Sequence, residues 1–181
     1  MAKIYIIHGA YGNPSENWIP WLKAELERMG QQVIVPRFPT PEGQSLENWR
    51  QVFAQYELTE GTIMVGHSLG PAFILDVLEH NLIKAAVLVA PFVRELGIRQ
   101  FDAINSSFYR EFDWKKIRKN CSRFVVLHAD NDPYVPLDRA EEVARALHVK
   151  VEIVPGAGHF NAKAGFTSFP LLLERLRQLQ E

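Results

Sequence analysis

Six short runs rich in Ile and Val recur along the chain, and the segments between them have helical periodicity. Most of the runs are continuous apolar stretches, which is typical of strands covered on both faces in a parallel sheet. The alternation therefore predicts one α/β domain over residues 1–181, doubly wound with helices on both faces of the sheet. The predicted strands are Lys3 to Ile7, Gln32 to Val35, Thr62 to Val65, Ala85 to Val89, Phe124 to Leu127 and Val149 to Val154.

Start signals accompany two of the predicted helices. Ser45 precedes an apolar stripe that contains Trp49 and Phe53, and it is expected to act as the N-cap of that helix. Asp138, with Glu141 three residues later, predicts an acidic analogue of the capping box at the start of a later helix.

The stretch 93–122 interrupts the alternation of strands and helices. Long insertions of this kind are often lids over a site, so the stretch predicts a short lid. A plain crossover segment between two strands is the alternative. The stretch carries five aromatic residues, namely Phe101, Phe108, Tyr109, Phe112 and Trp114.

Composition excludes several classes of function. With 47% hydrophobic and 23% charged residues and a formal net charge of −1, the chain offers no electrostatic attraction for nucleic acid or an anionic membrane. The one cysteine, Cys121, excludes an internal disulfide and lies in a polar stretch, which favours a structural role over a nucleophilic one. No His or acidic group has the spacing of a metal site. The N-terminal apolar run is too short for a signal peptide, and we expect a soluble cytoplasmic protein.

The stretch 66–70 reads Gly-His-Ser-Leu-Gly, which is the G-x-S-x-G pattern of a nucleophile elbow. A serine hydroxyl is a weak nucleophile, so a tight strand-to-helix turn must present it to both a base and a substrate. A predicted strand precedes the pattern, and a helix-like stretch opened by Pro71 follows it. A glycine- and serine-containing loop without chemistry is the alternative, but this context favours Ser68 as a nucleophile.

Two aspartates follow the fifth predicted strand, where the acid of a Ser-acid-His order belongs. Catalytic groups of open α/β sheets lie beyond the carboxyl ends of the strands, so both Asp130 and Asp132 are suitably located. Asp132 is the preferred acid because Pro133 bends the chain directly after it. Asp130 remains the alternative, and both aspartates could instead initiate turns.

His159 is the preferred base because it follows the sixth predicted strand on a loop with two glycines, Gly156 and Gly158. The remaining histidines are less suitable because they lie in tight motifs, near a helix end or at strand borders. They are His8, His67, His80, His128 and His148.

An oxyanion hole requires two backbone N–H groups, one of them from the residue after the nucleophile. Leu69 is that residue here. The second N–H is expected from the glycine-flanked turn after the first strand, with Ala10 preferred and Tyr11 as the alternative.

Together these residues resemble the α/β-hydrolase superfamily over nearly the whole chain, and in particular its compact serine hydrolases of the YdeN and retinoblastoma-binding-protein-9 type. The resemblance implies a minimal α/β-hydrolase fold that lacks the first two strands of the full fold, with six parallel strands in the order 2-1-3-4-5-6. It also implies a triad of Ser68, Asp132 and His159 and no cofactor. The stretches that carry the resemblance are His8-Gly9, Trp18-Ile19-Pro20-Trp21-Leu22, Gly66-His67-Ser68-Leu69-Gly70, Phe112-Asp113-Trp114-Lys115-Lys116-Ile117, Asp132-Pro133-Tyr134-Val135-Pro136 and Gly158-His159-Phe160.

One departure from that family concerns a protein partner. Binding to a retinoblastoma-type pocket uses a Leu-x-Cys-x-Glu motif, but Lys119 and Arg123 flank Cys121 at the two outer positions here. The sequence does not support such binding.

The leading functional hypothesis is a serine hydrolase that cleaves a small ester, thioester or amide through an acyl-enzyme. A catalytically silent interaction module and a non-hydrolytic enzyme with the same triad are the alternatives. Arginines and acids accompany the aromatic residues of 93–122, which favours a small, partly polar pocket over a lipid-binding one. The expected substrate contacts are Tyr11, Phe101, Phe108, Phe112 and Trp114, although the last four could simply pack the crossover against the sheet.

Overall fold

The computed structural model describes residues 2–180, and in that range it contains six strands and seven α-helices. The strands are β1 (Lys3–Ile7), β2 (Gln32–Ile34), β3 (Ile63–His67), β4 (Ala85–Val89), β5 (Phe124–His128) and β6 (Val151–Ile153). The helices are α1 (Ile19–Arg28), α2 (Leu46–Phe53), α3 (Gly70–Leu78), α4 (Arg99–Asn105), α5 (Trp114–Asn120), α6 (Leu137–Leu147) and α7 (Pro170–Gln180).

The six strands form one parallel sheet in the order β2-β1-β3-β4-β5-β6, which confirms the expected topology. The central strands β3 and β4 are buried along their whole length, as the continuous apolar runs predict. Their register pairs Ile63 with Ala85 and His67 with Val89. Both strands therefore end at the same level of the sheet.

Side chains that alternate along each strand supply two separate hydrophobic layers. Tyr5 and Ile7 of β1 face the layer formed with α2, α3, α5 and α6. Ile4 and Ile6 of the same strand face the layer formed with α1 and α7. The sheet thus has helices on both faces, and none of the helices found among residues 2–180 is long and apolar enough to cross a membrane.

Of the two expectations about helix starts, one is confirmed and one is wrong. Ser45 does cap α2, since its hydroxyl accepts the Asn48 N–H at 3.1 Å. The capping box at Asp138 is wrong, because α6 already begins at Leu137 with Pro136 as its N-cap and Asp138 lies in the first turn. A proline fixes the backbone before a helix without offering a side-chain acceptor.

The stretch 93–122 forms the connection from β4 to β5 and contains α4, a 3₁₀ turn and α5. Side chains near α2 tie it to the rest of the molecule. Gln44 donates to the Ile104 carbonyl at 2.9 Å, and the Ser107 hydroxyl accepts the Leu46 N–H at 3.0 Å. In addition, the ring of Phe108 packs edge-on against Trp49. The connection is therefore held by hydrogen bonds as well as by apolar contacts.

Candidate active site

Ser68 lies in the turn between β3 and α3, with a φ of +59°. This left-handed conformation is strained for a residue with a side chain, and strained residues concentrate at functional sites. The Ser68 N–H donates to the Val89 carbonyl of the neighbouring strand at 2.9 Å, which fixes the turn against the sheet.

The glycines on either side of Ser68 allow close backbone contacts. A Cβ at Gly66 would lie 2.7 Å from the Pro71 nitrogen, and one at Gly70 would lie 2.5 Å from the Ile7 carbonyl oxygen. Both distances are too short for any side chain. The G-x-S-x-G pattern is therefore a steric requirement of this strand-to-helix turn.

The second feature of the site is an acid–base pair formed by Asp132 and His159. His159 Nδ1 donates to Asp132 Oδ2 at 2.8 Å, and the other oxygen of Asp132 accepts the N–H groups of Tyr134 and Val135 at 2.9 and 3.0 Å. Burial alone would raise the pKa of Asp132, whose side chain is 1% exposed, but these hydrogen bonds outweigh burial and hold it below its usual value. An ionised Asp132 keeps the proton of His159 on Nδ1 and leaves Nε2 free to accept one.

Asp130, the alternative acid, has a different contact. Its Oδ1 accepts the Gly156 N–H at 2.8 Å, and the neighbouring Asn131 accepts the Gly158 N–H at the same distance. Both residues therefore hold the backbone of the loop that carries His159. The structure brings Asp132, and not Asp130, to the imidazole.

Three contacts from distant parts of the chain also support the histidine loop. The Trp18 indole donates to the Phe160 carbonyl at 3.0 Å, and Asn17 Oδ1 accepts the Ala162 N–H at 2.9 Å. His67 Nε2 donates to the carbonyl of His159 itself at 2.8 Å. These three contacts hold the backbone of the loop, and the loop in turn positions the imidazole of His159.

His67, the second residue of the elbow pattern, is a neutral positioning group. Burial and the charge of nearby His159 lower its pKa to about 3. Its ring lies 4.9 Å from that of His159, centroid to centroid, and Trp18 contacts it edge-on. A neutral His67 places no positive charge against His159.

His8 is held in one tautomer. Its Nε2 accepts the Phe38 N–H at 3.1 Å, so Nδ1 carries the hydrogen and donates to the Gly9 carbonyl at 2.9 Å. Burial lowers the pKa of His8 and keeps the ring neutral. This contact shapes the turn after β1, where Gly9 packs so closely that a Cβ there would lie 2.8 Å from Ser68 Cβ.

The backbone N–H groups of Ala10 and Leu69 have no hydrogen-bond acceptor among residues 2–180. The N–H of Tyr11, the alternative to Ala10, donates instead to the Thr40 hydroxyl at 2.7 Å. Two unpartnered donors thus belong to the two turns that adjoin Ser68. This is the donor arrangement that a developing oxyanion needs.

Ser68 and His159 line one cavity of about 250 Å³. Tyr11 and Phe101 also line it, as expected, and their rings meet edge-on at 5.9 Å. Phe101 in turn contacts Tyr134, which contacts His159. The other lining residues are His8, Gly9, Ala10, Gly12, Asn13, Glu16, Asn17, Ile19, His67, Phe92, Leu96, Asn105, Val135 and Asn161.

Three aromatic residues expected at the substrate do not line this cavity, and that expectation is corrected here. Phe108 is 1% exposed and packs on Trp49, while Phe112 lies under the Arg110 guanidinium with Trp114 beside it. These rings serve as apolar anchors of the crossover, which is the alternative interpretation of the stretch. Within 93–122, the only aromatic ring that lines the cavity is that of Phe101 in α4.

Residues that the sequence interpretation missed complete the cavity wall. Asn105 at the end of α4 lines the cavity although it is only 1% exposed, and Asn17 and Asn161 line it from two loops. Isolated asparagines in loops or helix ends carry no pattern that would single them out. Their position follows only from the packing of α4 and of the histidine loop.

Residues 2–180 give little support for a bound metal ion or for a cysteine nucleophile. No cluster of three or more His, Cys, Asp or Glu side chains in that range could hold a metal ion. Cys121 is buried at the end of α5, and burial raises the pKa of its thiol to about 12, so it stays protonated.

Comparison with known proteins places the chain among hydrolases. It is 31% identical over 180 residues to the hydrolase YdeN of Bacillus subtilis strain 168, with 96% of this chain and 94% of that protein covered. It is 29% identical over 163 residues to the serine hydrolase RBBP9 of Rattus norvegicus, with 87% of each chain covered. The crystal structure of the B. subtilis ydeN gene product matches with a TM-score of 0.92 at 30% identity, covering 99% of this chain and 98% of that one.

A family model supports the same assignment. The model described as "Serine hydrolase" matches residues 4–178, which include all six strands except Lys3 at the start of β1, and every residue of the site described above. The fold, the relatives and the family model agree. The chain belongs to the serine hydrolase family, and its structure is that of an α/β hydrolase.

Proposed function

We propose that the protein hydrolyses a small ester, thioester or amide through an acyl-enzyme formed on Ser68, with His159 as the base and Asp132 as the orienting acid. The observation that carries the proposal is that the strained Ser68 and His159, whose imidazole is paired with the buried Asp132, line the same cavity. A nucleophile, a base and a group that orients the base are the parts that this chemistry requires.

In the first half of the reaction, His159 Nε2 takes the proton of the Ser68 hydroxyl as Oγ attacks the substrate carbonyl. The negative charge that develops on the carbonyl oxygen is bound by the N–H groups of Ala10 and Leu69, which need no rearrangement because no protein acceptor occupies them. His159 then gives its proton to the leaving oxygen, sulfur or nitrogen, and the acyl group remains on Ser68.

In the second half, His159 Nε2 takes a proton from a water molecule as that water attacks the acyl carbonyl. His159 then returns the proton to Ser68 Oγ as the bond between Oγ and the acyl carbon breaks, which releases the acid and regenerates the serine. Ionised Asp132 stabilises the imidazolium that forms in each half of the cycle. Because His67 is neutral, it does not repel the positive charge of that imidazolium.

The substrate is proposed to be small because the cavity of about 250 Å³ lies at the lower limit of ligand pockets. Phe101 and Tyr11 close one side of it with rings, while asparagines contribute polar groups elsewhere. We expect p-nitrophenyl acetate and butyrate to react faster than the dodecanoate, with no activation at a lipid surface. A preference for long-chain emulsions would contradict a small pocket.

A turnover experiment tests the hydrolase proposal. Ser68→Ala is expected to lower kcat for p-nitrophenyl butyrate by up to about a millionfold, the loss found when a triad loses its nucleophile. Exposed Ser122 provides the matched control, and Ser122→Ala is expected to retain wild-type turnover. Equal rates for wild type and Ser68→Ala would contradict an acyl-enzyme on Ser68, and equal rates at the level of uncatalysed hydrolysis would favour a catalytically silent interaction module. The single domain and the cytoplasmic location expected from the sequence remain predictions.

A further inference from the structure

Asn105 is one of the few polar residues of the molecule that are almost completely buried, and it lines the cavity that contains Ser68. It is the last residue of α4, one turn beyond the cavity-lining ring of Phe101. A buried amide must find partners for its oxygen and for both hydrogens of its NH₂ group, or it costs stability.

Neighbouring side chains fix the orientation of this amide. Gln44 donates to Asn105 Oδ1 at 2.7 Å and to the Ile104 carbonyl at 2.9 Å, so the amide oxygen is occupied. The NH₂ group lies beside the Tyr109 hydroxyl oxygen, which can accept one of its hydrogens because Tyr109 itself donates to Asp102 at 2.8 Å. These contacts account for the oxygen and one hydrogen.

The second hydrogen of the NH₂ group has no protein acceptor among residues 2–180. We propose that Asn105 is a specificity-determining residue that donates this hydrogen to an uncharged oxygen of the substrate, such as an ether, hydroxyl or amide carbonyl. The proposal rests on the proposed hydrolase function of Ser68. It adds a recognition contact that the triad and the oxyanion hole do not supply.

The charge of the cavity argues for an uncharged acceptor. Among the described residues that line it, Glu16 is the only Asp, Glu, Lys or Arg, and it is held by the amide of Asn13. A carboxylate substrate would meet repulsion from Glu16 without an arginine or lysine to compensate. A neutral oxygen can accept a hydrogen bond from Asn105 without that cost.

Two matched substrate pairs test the proposal and distinguish the two ends of the substrate. p-Nitrophenyl methoxyacetate and p-nitrophenyl butyrate differ by one oxygen in the acyl chain. S-(2-methoxyethyl) thioacetate and S-butyl thioacetate differ by one oxygen in the leaving group. The kcat/KM ratio within each pair is divided by the ratio of the two alkaline hydrolysis rates, which removes the difference in intrinsic reactivity.

We expect the wild-type protein to prefer the oxygen-bearing member of one pair by about threefold to tenfold, the value of one additional hydrogen bond. Asn105→Leu and Asn105→Ala should abolish this preference. Asn48→Leu serves as the control because Asn48 lies outside the cavity, where its amide donates to the Gly43 carbonyl, and the preference should persist in that variant.

An equal ratio for wild type and both Asn105 variants in both pairs would overturn the role of Asn105 while leaving the hydrolase proposal intact. If neither pair is hydrolysed by the wild type, the hydrolase proposal itself fails. A change in stability alone would alter the kcat/KM of both members of a pair together, so the ratio separates recognition from folding.

Discussion

The turn that carries Ser68 and the loop that carries His159 are stabilised in different ways. Contacts within and directly beside the elbow fix the serine turn, where Gly66 and Gly70 allow neighbouring backbones to approach. Hydrogen bonds from distant residues fix the histidine loop, among them those of Trp18 and Asp130. The sequence pattern that the first arrangement requires lies in five consecutive residues, and the second arrangement depends on three separate stretches of the chain.

This difference predicts that the serine turn and the histidine loop differ in their sensitivity to substitution. A side chain added at either glycine of the elbow should clash with neighbouring backbone atoms that cannot move away. A change in one support of the histidine loop removes one hydrogen bond and leaves the others in place. We therefore expect large effects at the acid and the elbow and smaller ones along the histidine loop.

Apart from the loss of Ser68 itself, the largest effect is expected where the histidine loop meets its acid. Asp132→Asn should lower kcat by about ten-thousandfold, because an amide no longer fixes the imidazole tautomer or stabilises the imidazolium. Asp130→Asn is the matched control and keeps an oxygen that can accept the Gly156 N–H. Steady-state kinetics of both variants decide between the two aspartates. A severe loss in Asp130→Asn with near-normal Asp132→Asn would reverse the assignment.

The next effect concerns the elbow itself. Gly70→Ala would place a Cβ 2.5 Å from the Ile7 carbonyl oxygen, and we expect it to lower the free energy of unfolding by about 3 kcal/mol or more. Gly61→Ala is the control, since its Cβ would have Thr59 Oγ1 at 3.8 Å as its nearest contact. Urea unfolding of both variants measures the difference. Similar stabilities would show that the elbow tolerates side chains.

His67 belongs to both regions, and its contribution is expected to depend on pH. Its pKa is about 3 in the folded protein, whereas an unfolded histidine has a pKa of about 6.5. Between those values only the unfolded state binds the proton, so stability falls as the pH is lowered through this window.

His67→Gln keeps an N–H donor but removes this titration. Between pH 8 and pH 5 the variant should therefore lose about 2 kcal/mol less unfolding free energy than the wild type. Urea titrations at the two pH values measure the loss in each protein. Identical losses would mean that His67 is protonated in the folded state at pH 5.

The smallest effect is expected at one support of the histidine loop. Trp18→Phe keeps an aromatic ring against His67 but removes the hydrogen bond to the Phe160 carbonyl. We expect a loss of about 1 kcal/mol in stability and up to about tenfold in kcat/KM. Trp21→Phe in α1, the helix that Trp18 precedes, is the control, because the Trp21 indole has no acceptor among the described residues. Equal behaviour of the two variants would contradict the supporting role of Trp18.

Much of the fold follows from local patterns. Continuous apolar runs mark β3 and β4 because both faces of these strands are covered, and the elbow is visible because sterics require its glycines. The strand order came from the family resemblance, since apolar runs alone do not specify which strands are neighbours. The structure confirms that order.

Other features depend on contacts that local patterns do not encode. An aromatic residue such as Phe108 has the same sequence signature whether it packs in the core or lines a cavity, so the expected contacts at Phe108, Phe112 and Trp114 were misplaced. The helix α4 is not predicted from the sequence, because its residues show no clear apolar stripe. Asp102 lies within the helix, and its carboxylate accepts the N–H groups of Leu96 and Gly97 in the preceding turn. The amide of Asn105 is oriented by its contact with Gln44, about sixty residues earlier in the chain, which no local pattern encodes.

Covalent labelling of the native protein tests the central proposal most directly. A fluorophosphonate should modify Ser68 with a stoichiometry of about one, located by mass spectrometry of the peptide that contains 66–70. Labelling should be slowed by about a thousandfold or more in His159→Ala, where the base that activates the hydroxyl is missing, and should be absent in Ser68→Ala. Modification of a different serine, or equal labelling rates with and without His159, would contradict a triad built on Ser68.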